Sequence, residues 1–228
     1  NVKCYGNSTG SIDLTVSGGT TTYTYQWAAA SGGSVPSGQS SNQDLTNLSA
    51  GKYNVTITDA NACILKDSTI ITQPNAAIST SKSQVNVLCY GNPTGSINLT
   101  VSGGTSAYSY NWTAVSGGVV PSGQSSNQNL TGLSAGKYYV TITDANNCVL
   151  KDSIVITQPN AALSINKSQD NVKCYGNSTG SIVLTVSGGT KNYSYQWTAS
   201  AGGSIPSGQS TIQDLTNLSA GNYNVSIT

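Results

Sequence analysis

The side chains able to do acid–base, nucleophilic or metal chemistry are few in this chain, and their spacing is regular. Its nine cations are all Lys and its eight anions all Asp, with no His, Glu or Arg. General acid–base work draws first on His, Glu and Asp, and a nucleophilic triad needs a base beside its nucleophile. Only Asp, Lys, Tyr and Cys are on hand, so no catalytic residue is assigned and the chain reads as a non-enzyme. Without His or a Cys-x-x-Cys pair, zinc ligation has no donor set, so neither a metal site nor a cofactor is expected. Asp59 and Asp144 recur in Thr-Asp-Ala-Asn. An Asp there ordinarily caps a turn through its own backbone, although Asp59 with neighbouring carbonyls could also form a weak calcium site.

The five cysteines carry more information. Cys4, Cys89 and Cys174 are spaced by 85 residues, as are Cys63 and Cys148. Trp27, Trp112 and Trp197 keep the same step, and so do Pro36, Pro121 and Pro206. A fixed period of this length means an array of like units, each long enough to bury a core of its own. The simplest pairing joins Cys4 to Cys63 and Cys89 to Cys148, leaving Cys174 unpaired by truncation. Joining Cys63 to Cys89 across a boundary is the rival, and buried free thiols remain open. Disulfides would imply an oxidising compartment.

The elements that position these residues read as strands. Ser11-Ile12-Asp13-Leu14-Thr15-Val16 alternates with period two. Its outward position is Asp13, Asn98 or Val183 in the three copies, while the inward Ile and Leu stay the same. Tyr23–Trp27 forms the next strand. A long Ser/Gly/Gln/Pro connection follows (28–44), with a short edge strand near Val35. Tyr53-Asn54-Val55-Thr56-Ile57 alternates again, turns at Asp59–Ala62, and returns through Ile70 and Ile71 to Pro74. Nothing recurs at helical spacing, and short strands with turn signals every 8–12 residues indicate a sandwich. Leu-x-x-Leu-x-Ala-Gly-x-Tyr has the form of a tyrosine corner, which favours an immunoglobulin-like topology. The expected fold is an all-β tandem array of immunoglobulin-like sandwiches. Its boundaries fall at 1–74 (lacking its first strand), 75–159 (complete) and 160–228 (lacking its last hairpin).

On this scheme Trp27, Trp112, Trp197, Tyr53, Tyr138 and Tyr223 are core aromatics. The alternative for Trp27 is an exposed platform on which a sugar ring stacks, and Tyr5, Tyr90 and Tyr175 are better surface candidates. Lys66-Asp67 and Lys151-Asp152 place opposite charges side by side on a strand, where they should be solvated. A net charge of +1 offers no attraction to nucleic acid or an anionic membrane. No apolar run approaches the ~18 residues a membrane helix needs.

Three strings carry a resemblance: Cys-Tyr-Gly-Asn-x-Thr-Gly-Ser-Ile, Val-Ser-Gly-Gly-Thr-x-x-Tyr-x-Tyr-x-Trp, and Leu-Ser-Ala-Gly-x-Tyr-x-Val-Thr-Ile-Thr-Asp-Ala-Asn-x-Cys. Together they resemble the SprB repeat, which recurs in very large adhesins of gliding Bacteroidetes exported by the type IX secretion system. The resemblance implies a filamentous adhesin on the cell surface. It would grip a substratum or surface polysaccharide and be carried by gliding machinery through regions outside this segment. It also recasts Asp67-Ser68-Thr69 and Asp152-Ser153-Ile154 as candidate O-glycosylation sites at Ser68 and Ser153.

Overall fold

The structure, a computed structural model, describes residues 1–228 and consists of strands and turns. None of it is a helix long and apolar enough to cross a membrane, which says nothing about strands. The first group of strands is β1 (Gly10–Ile12), β2 (Thr24–Ala29), β3 (Leu45–Leu48), β4 (Gly51–Thr58) and β5 (Ile64–Ile71). The second is β6 (Ser79–Val85), β7 (Gly95–Ser102), β8 (Ser109–Val115), β9 (Leu130–Leu133), β10 (Gly136–Thr143) and β11 (Val149–Ile156). The third is β12 (Ser164–Asp170), β13 (Gly180–Ser187), β14 (Tyr195–Ser200), β15 (Leu215–Leu218) and β16 (Asn222–Ile227).

The second group shows the whole pattern. Its sheets are β6-β7-β9 and β8-β10-β11, antiparallel throughout. This is the immunoglobulin order, strands A, B and E facing C, F and G, with the long connection where strand D would lie. The first group keeps β1-β3 and β2-β4-β5, and the third keeps β12-β13-β15 and β14-β16. Strand β1 is only three residues long, whereas β7 and β13 run for eight. The shortening has a direct cause: β6 and β12 zip along seven of the eight residues of β7 and β13, and β1 has no such neighbour.

Alternation places Ile97 and Leu99 against Trp112, Tyr138, Val140 and Ile142 in one buried cluster, while Asn98 faces out. The indole N–H of Trp112 donates to Asn127 O at 2.8 Å, and Trp27 and Trp197 repeat the bond with Asn42 O and Ile212 O. All three tryptophans are buried. Their rings belong to the sandwich interior, not to a stacking platform. Tyr53 and Tyr138 are wholly enclosed, and their hydroxyls donate to the carbonyls of Ser49 (2.9 Å) and Ser134 (2.8 Å). Tyr223 makes the same bond to Ser219 but is half-buried, because β16 pairs on one side only.

The long connection forms no strand. Val35 is a half-buried plug against the core instead of an edge strand. Two polar side chains supply the missing ladder: Gln128 Nε2 donates to Leu99 O, and Asn129 Oδ1 accepts from Leu99 N at 2.9 Å. Gln43 with Asp44, and Gln213 with Asp214, do the same for Leu14 and Leu184. A strand edge that β9 is too short to pair is thereby satisfied.

Lys66 and Asp67 are exposed, as expected of solvated surface charges, but Asp152 departs from that expectation. Asp152 lies opposite the inward-facing Val140, so it points across the open side of the sandwich while Lys151 points out. There it meets Lys82 of β6 at 2.5 Å and Thr80 Oγ1 at 2.7 Å, and Lys82 also donates to Ser153 O. This clamp joins the edge strands of the two sheets. Burial pushes the Asp152 carboxyl up, but the bonds from Lys82 and Thr80 outweigh it and hold it below the ordinary value. Both partners keep partial solvent contact, so the pair is worth less than ~1 kcal/mol as a surface ion pair.

Replacing Tyr138 with Phe should lower stability by about 1–2 kcal/mol, since Ser134 O then loses a buried donor. Tyr139→Phe, on the exposed face of the same strand, should change it by no more than ~0.5 kcal/mol. Thermal denaturation of the two variants checks the contrast.

Candidate functional site at the junction between repeats

The hairpin between β10 and β11 is built around one carboxylate. Asp144 Oδ1 accepts from the backbone N–H of Asn146 (2.8 Å) and Cys148 (2.9 Å), and Oδ2 from Thr105 (2.9 Å) in the β7–β8 turn. Asn147 takes φ +64° within the turn, a conformation Asn tolerates. Asp59 makes the equivalent bonds to Asn61, Cys63 and Thr20. Turn capping is therefore the role of both carboxylates. Their surroundings are the positive ends of N–H dipoles, the wrong polarity for a calcium ion. No group of three or more His, Cys, Asp or Glu side chains converges anywhere.

Asp144 is buried, while Asp59 is half-buried. Ile78 of the linker packs beside Gly104, next to the Asp144 carboxylate. For Asp144, burial pushes the carboxyl up, but its three backbone donors prevail and hold it below the usual carboxylate value. For Asp59 the N–H of Thr20 is the largest influence, again downward.

The Cys-Tyr-Gly loop sits at the other end of its repeat. Val2 N donates to Thr72 O at 2.8 Å, and Gly6 N to Gln73 Oε1 at 2.8 Å. The second copy repeats both bonds with Val87 and Thr157, and with Gly91 and Gln158. Each loop is thus tied to the Gln-Pro exit of its own repeat, next to the start of the following one. The linker is equally fixed. Gly104 N donates to Ala76 O at 2.8 Å, and Gly189 N to Ala161 O at 2.9 Å. Gly103 and Gly188 lie at φ +75° and +74°, where a Cβ would come within 1.9 Å of the carbonyls of Ala77 and Ala162. Only glycine allows that approach.

These placements bring the loop of one repeat against the hairpin of the next. Asn146 Nδ2 donates to Thr105 Oγ1 (2.9 Å) and to Lys3 O (3.1 Å) across the junction. Beside it Cys4 and Cys148 form a disulfide, their Cα atoms 5.7 Å apart. Tyr5, Ala77, Ile78, Val149 and Leu150 line a shallow groove around it. Cys63, Cys89 and Cys174 are free and exposed.

This connectivity corrects the pairing expected from the sequence. Neither Cys4–Cys63 with Cys89–Cys148 nor the alternative Cys63–Cys89 forms. Cys89 precedes the Gly95 end of β7, and Cys148 lies by the turn that follows its Ser102 end. Eight residues of antiparallel strand span about 27 Å, whereas bridged cysteines need their Cα atoms within ~7 Å. A repeat cannot bridge its own two cysteines.

The other singled-out residues lie elsewhere. Ser153 pairs in register with Tyr139 on the outer face, and Ser68 with Asn54. Ser68 is exposed and Ser153 half-buried. Tyr5, Tyr90 and Tyr175 are exposed on their loops. The junction itself escaped sequence reasoning. The signal available was that each repeat places one cysteine before its second strand and the other after its next-to-last, at opposite ends of a sandwich.

Comparison with known proteins adds a family. The model described as the SprB repeat matches residues 1–32, 81–117 and 166–202. Each match contains the Cys-Tyr-Gly loop and the Trp strand, and the second and third also most of the strand before the loop. No curated protein matches the sequence. An amphioxus IgVJ-C2 molecule is 15% identical, covering 66% of this chain and 97% of its own, with a TM-score of 0.31. Drosophila OTK extracellular domains 3–5 are 10% identical over 91% of this chain and 81% of theirs, at 0.32. Murine CEACAM1b is 14% identical over 59% and 84%, at 0.25. The immunoglobulin-like assignment rests on this chain's own strand order.

Asp144 and Asp152 have depressed carboxyl pKa values in the folded state. Their contribution is therefore fully present above the unfolded value near ~4 and disappears as pH falls below it through the folded values. The melting temperature should be level from neutral pH to about pH 5 and fall below about pH 4. In Asp144→Asn the acid fall should be shallower, and stability at pH 7 lower by about 1–3 kcal/mol. Melting curves across pH check both.

Proposed function

We propose, from the three segments that match the SprB-repeat model, that the chain forms part of the stalk of a filamentous cell-surface adhesin used for attachment and gliding. The repeats are structural rather than catalytic: they set the distance between the cell and whatever the filament grips. One observation carries this reading. At the first junction a disulfide and the Asn146–Lys3 bond join two repeats. Both linkers dock on the repeat they enter through the same Gly–Ala hydrogen bond and glycine approach, which favours a repeated arrangement over a flexible tether. A spacer needs reach and stiffness, and near-identical copies supply both. Contacts with a substratum, a surface polysaccharide or gliding machinery would then lie in other parts of the filament.

A second reading, a carbohydrate-binding module multiplied for avidity, has the exposed Tyr5, Tyr90 and Tyr175 in its favour. It requires sugar binding by a two-repeat fragment on a glycan array. The stalk reading requires no such binding.

Elongated sandwiches joined end to end should rise by roughly 40 Å per repeat, from strand length plus loops around a domain of this size. Small-angle scattering of the whole chain should therefore show a rod with a maximum dimension of about 120 Å. A compact envelope would remove the stalk.

A further inference from the structure

Three thiols are left over in this chain: Cys63, Cys89 and Cys174. We infer that they are not spare but are halves of further bridges identical to Cys4–Cys148, so that an array of these repeats carries one cystine at every junction. The bridge joins residues 144 apart in sequence, which is one 85-residue step plus the distance from a Cys-Tyr-Gly loop to the hairpin of its own repeat. Applied to Cys89, the same separation reaches position 233, 85 residues after Cys148. Cys174 reaches forward in the same way to a fourth repeat. Cys63, on a hairpin like that of Cys148, reaches back to the loop of a preceding repeat. Every cysteine takes one of two roles, loop donor to the next repeat or hairpin acceptor from the one before.

The structure supports the equivalence at each component. Cys63 N and Cys148 N are both held by the carboxylate four residues earlier, at 2.8 and 2.9 Å. The loops of Cys4 and Cys89 are both anchored to the Gln-Pro exit, at 2.8 and 2.9 Å. The linkers 74–79 and 159–164 dock through the same bond at 2.8 and 2.9 Å. The second junction is therefore set up like the first, and it needs only a hairpin opposite Cys89. Each bridge forms when two thiols give up two protons and two electrons to a disulfide-bearing oxidoreductase of the export compartment, whose own disulfide becomes a dithiol.

The inference is independent of the stalk reading and is tested by counting thiols. The oxidised 228-residue chain, denatured without reductant, should titrate three thiols, and peptide mapping should find Cys4 linked to Cys148. Appending one further 85-residue repeat, with cysteines at positions 233 and 259, should again leave three thiols and add a Cys89 link to position 233. One thiol in the 228-residue chain, with Cys4–Cys63 and Cys89–Cys148 peptides, would overturn the inference. So would five thiols, or a fourth repeat in which Cys89 stays free.

Discussion

The length of β7 governs the rest of the molecule. Eight residues separate the end of a repeat that receives the chain from the end that passes it on, and antiparallel geometry fixes which loops emerge at each. The Cys-Tyr-Gly loop and the Asp-Ala-Asn hairpin can never meet within one repeat. They can meet only when the exit of one sandwich abuts the entry of the next. The glycines at 103 and 188 let the linker lie close enough for that to happen. Covalent chemistry is thereby moved out of the core and into the junction.

A chain with so few charges must satisfy its polar backbone by other means, and it does so with amides. Gln128 and Asn129 stand in for a strand along Leu99. Gln124 accepts from Thr131 N at 2.9 Å, pinning the Pro-Ser-Gly turn to β9. The same groups recur in the other copies, and no buried side-chain nitrogen or oxygen lacks a partner. The Ser/Gly/Gln-rich connection, which by composition could pass for a flexible loop, is therefore held at several points.

Much of this was legible from residue order. Alternation in Ser11–Val16 separated inward Leu14 from outward Asp13, and Leu-x-x-Leu-x-Ala-Gly-x-Tyr marked the corner where Tyr138 meets Ser134. Three features were not. Asp152 looked solvated because its neighbour is Lys151, yet its partner is Lys82, 70 residues away on another sheet. Val35 sits in a β-prone stretch, but its side chain packs on the core as a half-buried plug instead of joining a sheet. The cysteines kept their period faithfully, but a period measures distance along the chain. It is silent about which end of a sandwich a loop faces, and that alone decides who can bridge whom.

The interleaving of the bridges has a consequence for a filament under tension. With one at every junction, pull entering at Cys4 crosses to Cys148, follows the backbone only as far as Cys174, and crosses again. The load path over two repeats thus contains 26 residues of chain, the closing strand of one sandwich and the opening strand of the next. Twenty-six residues reach about 90 Å at full stretch, against the roughly 80 Å that two folded repeats already occupy at ~40 Å each. Such a filament would have almost no slack. Its hydrophobic cores could melt and refold beside the load path without lengthening it, so its breaking point would be set by covalent bonds rather than by the stability of any sandwich.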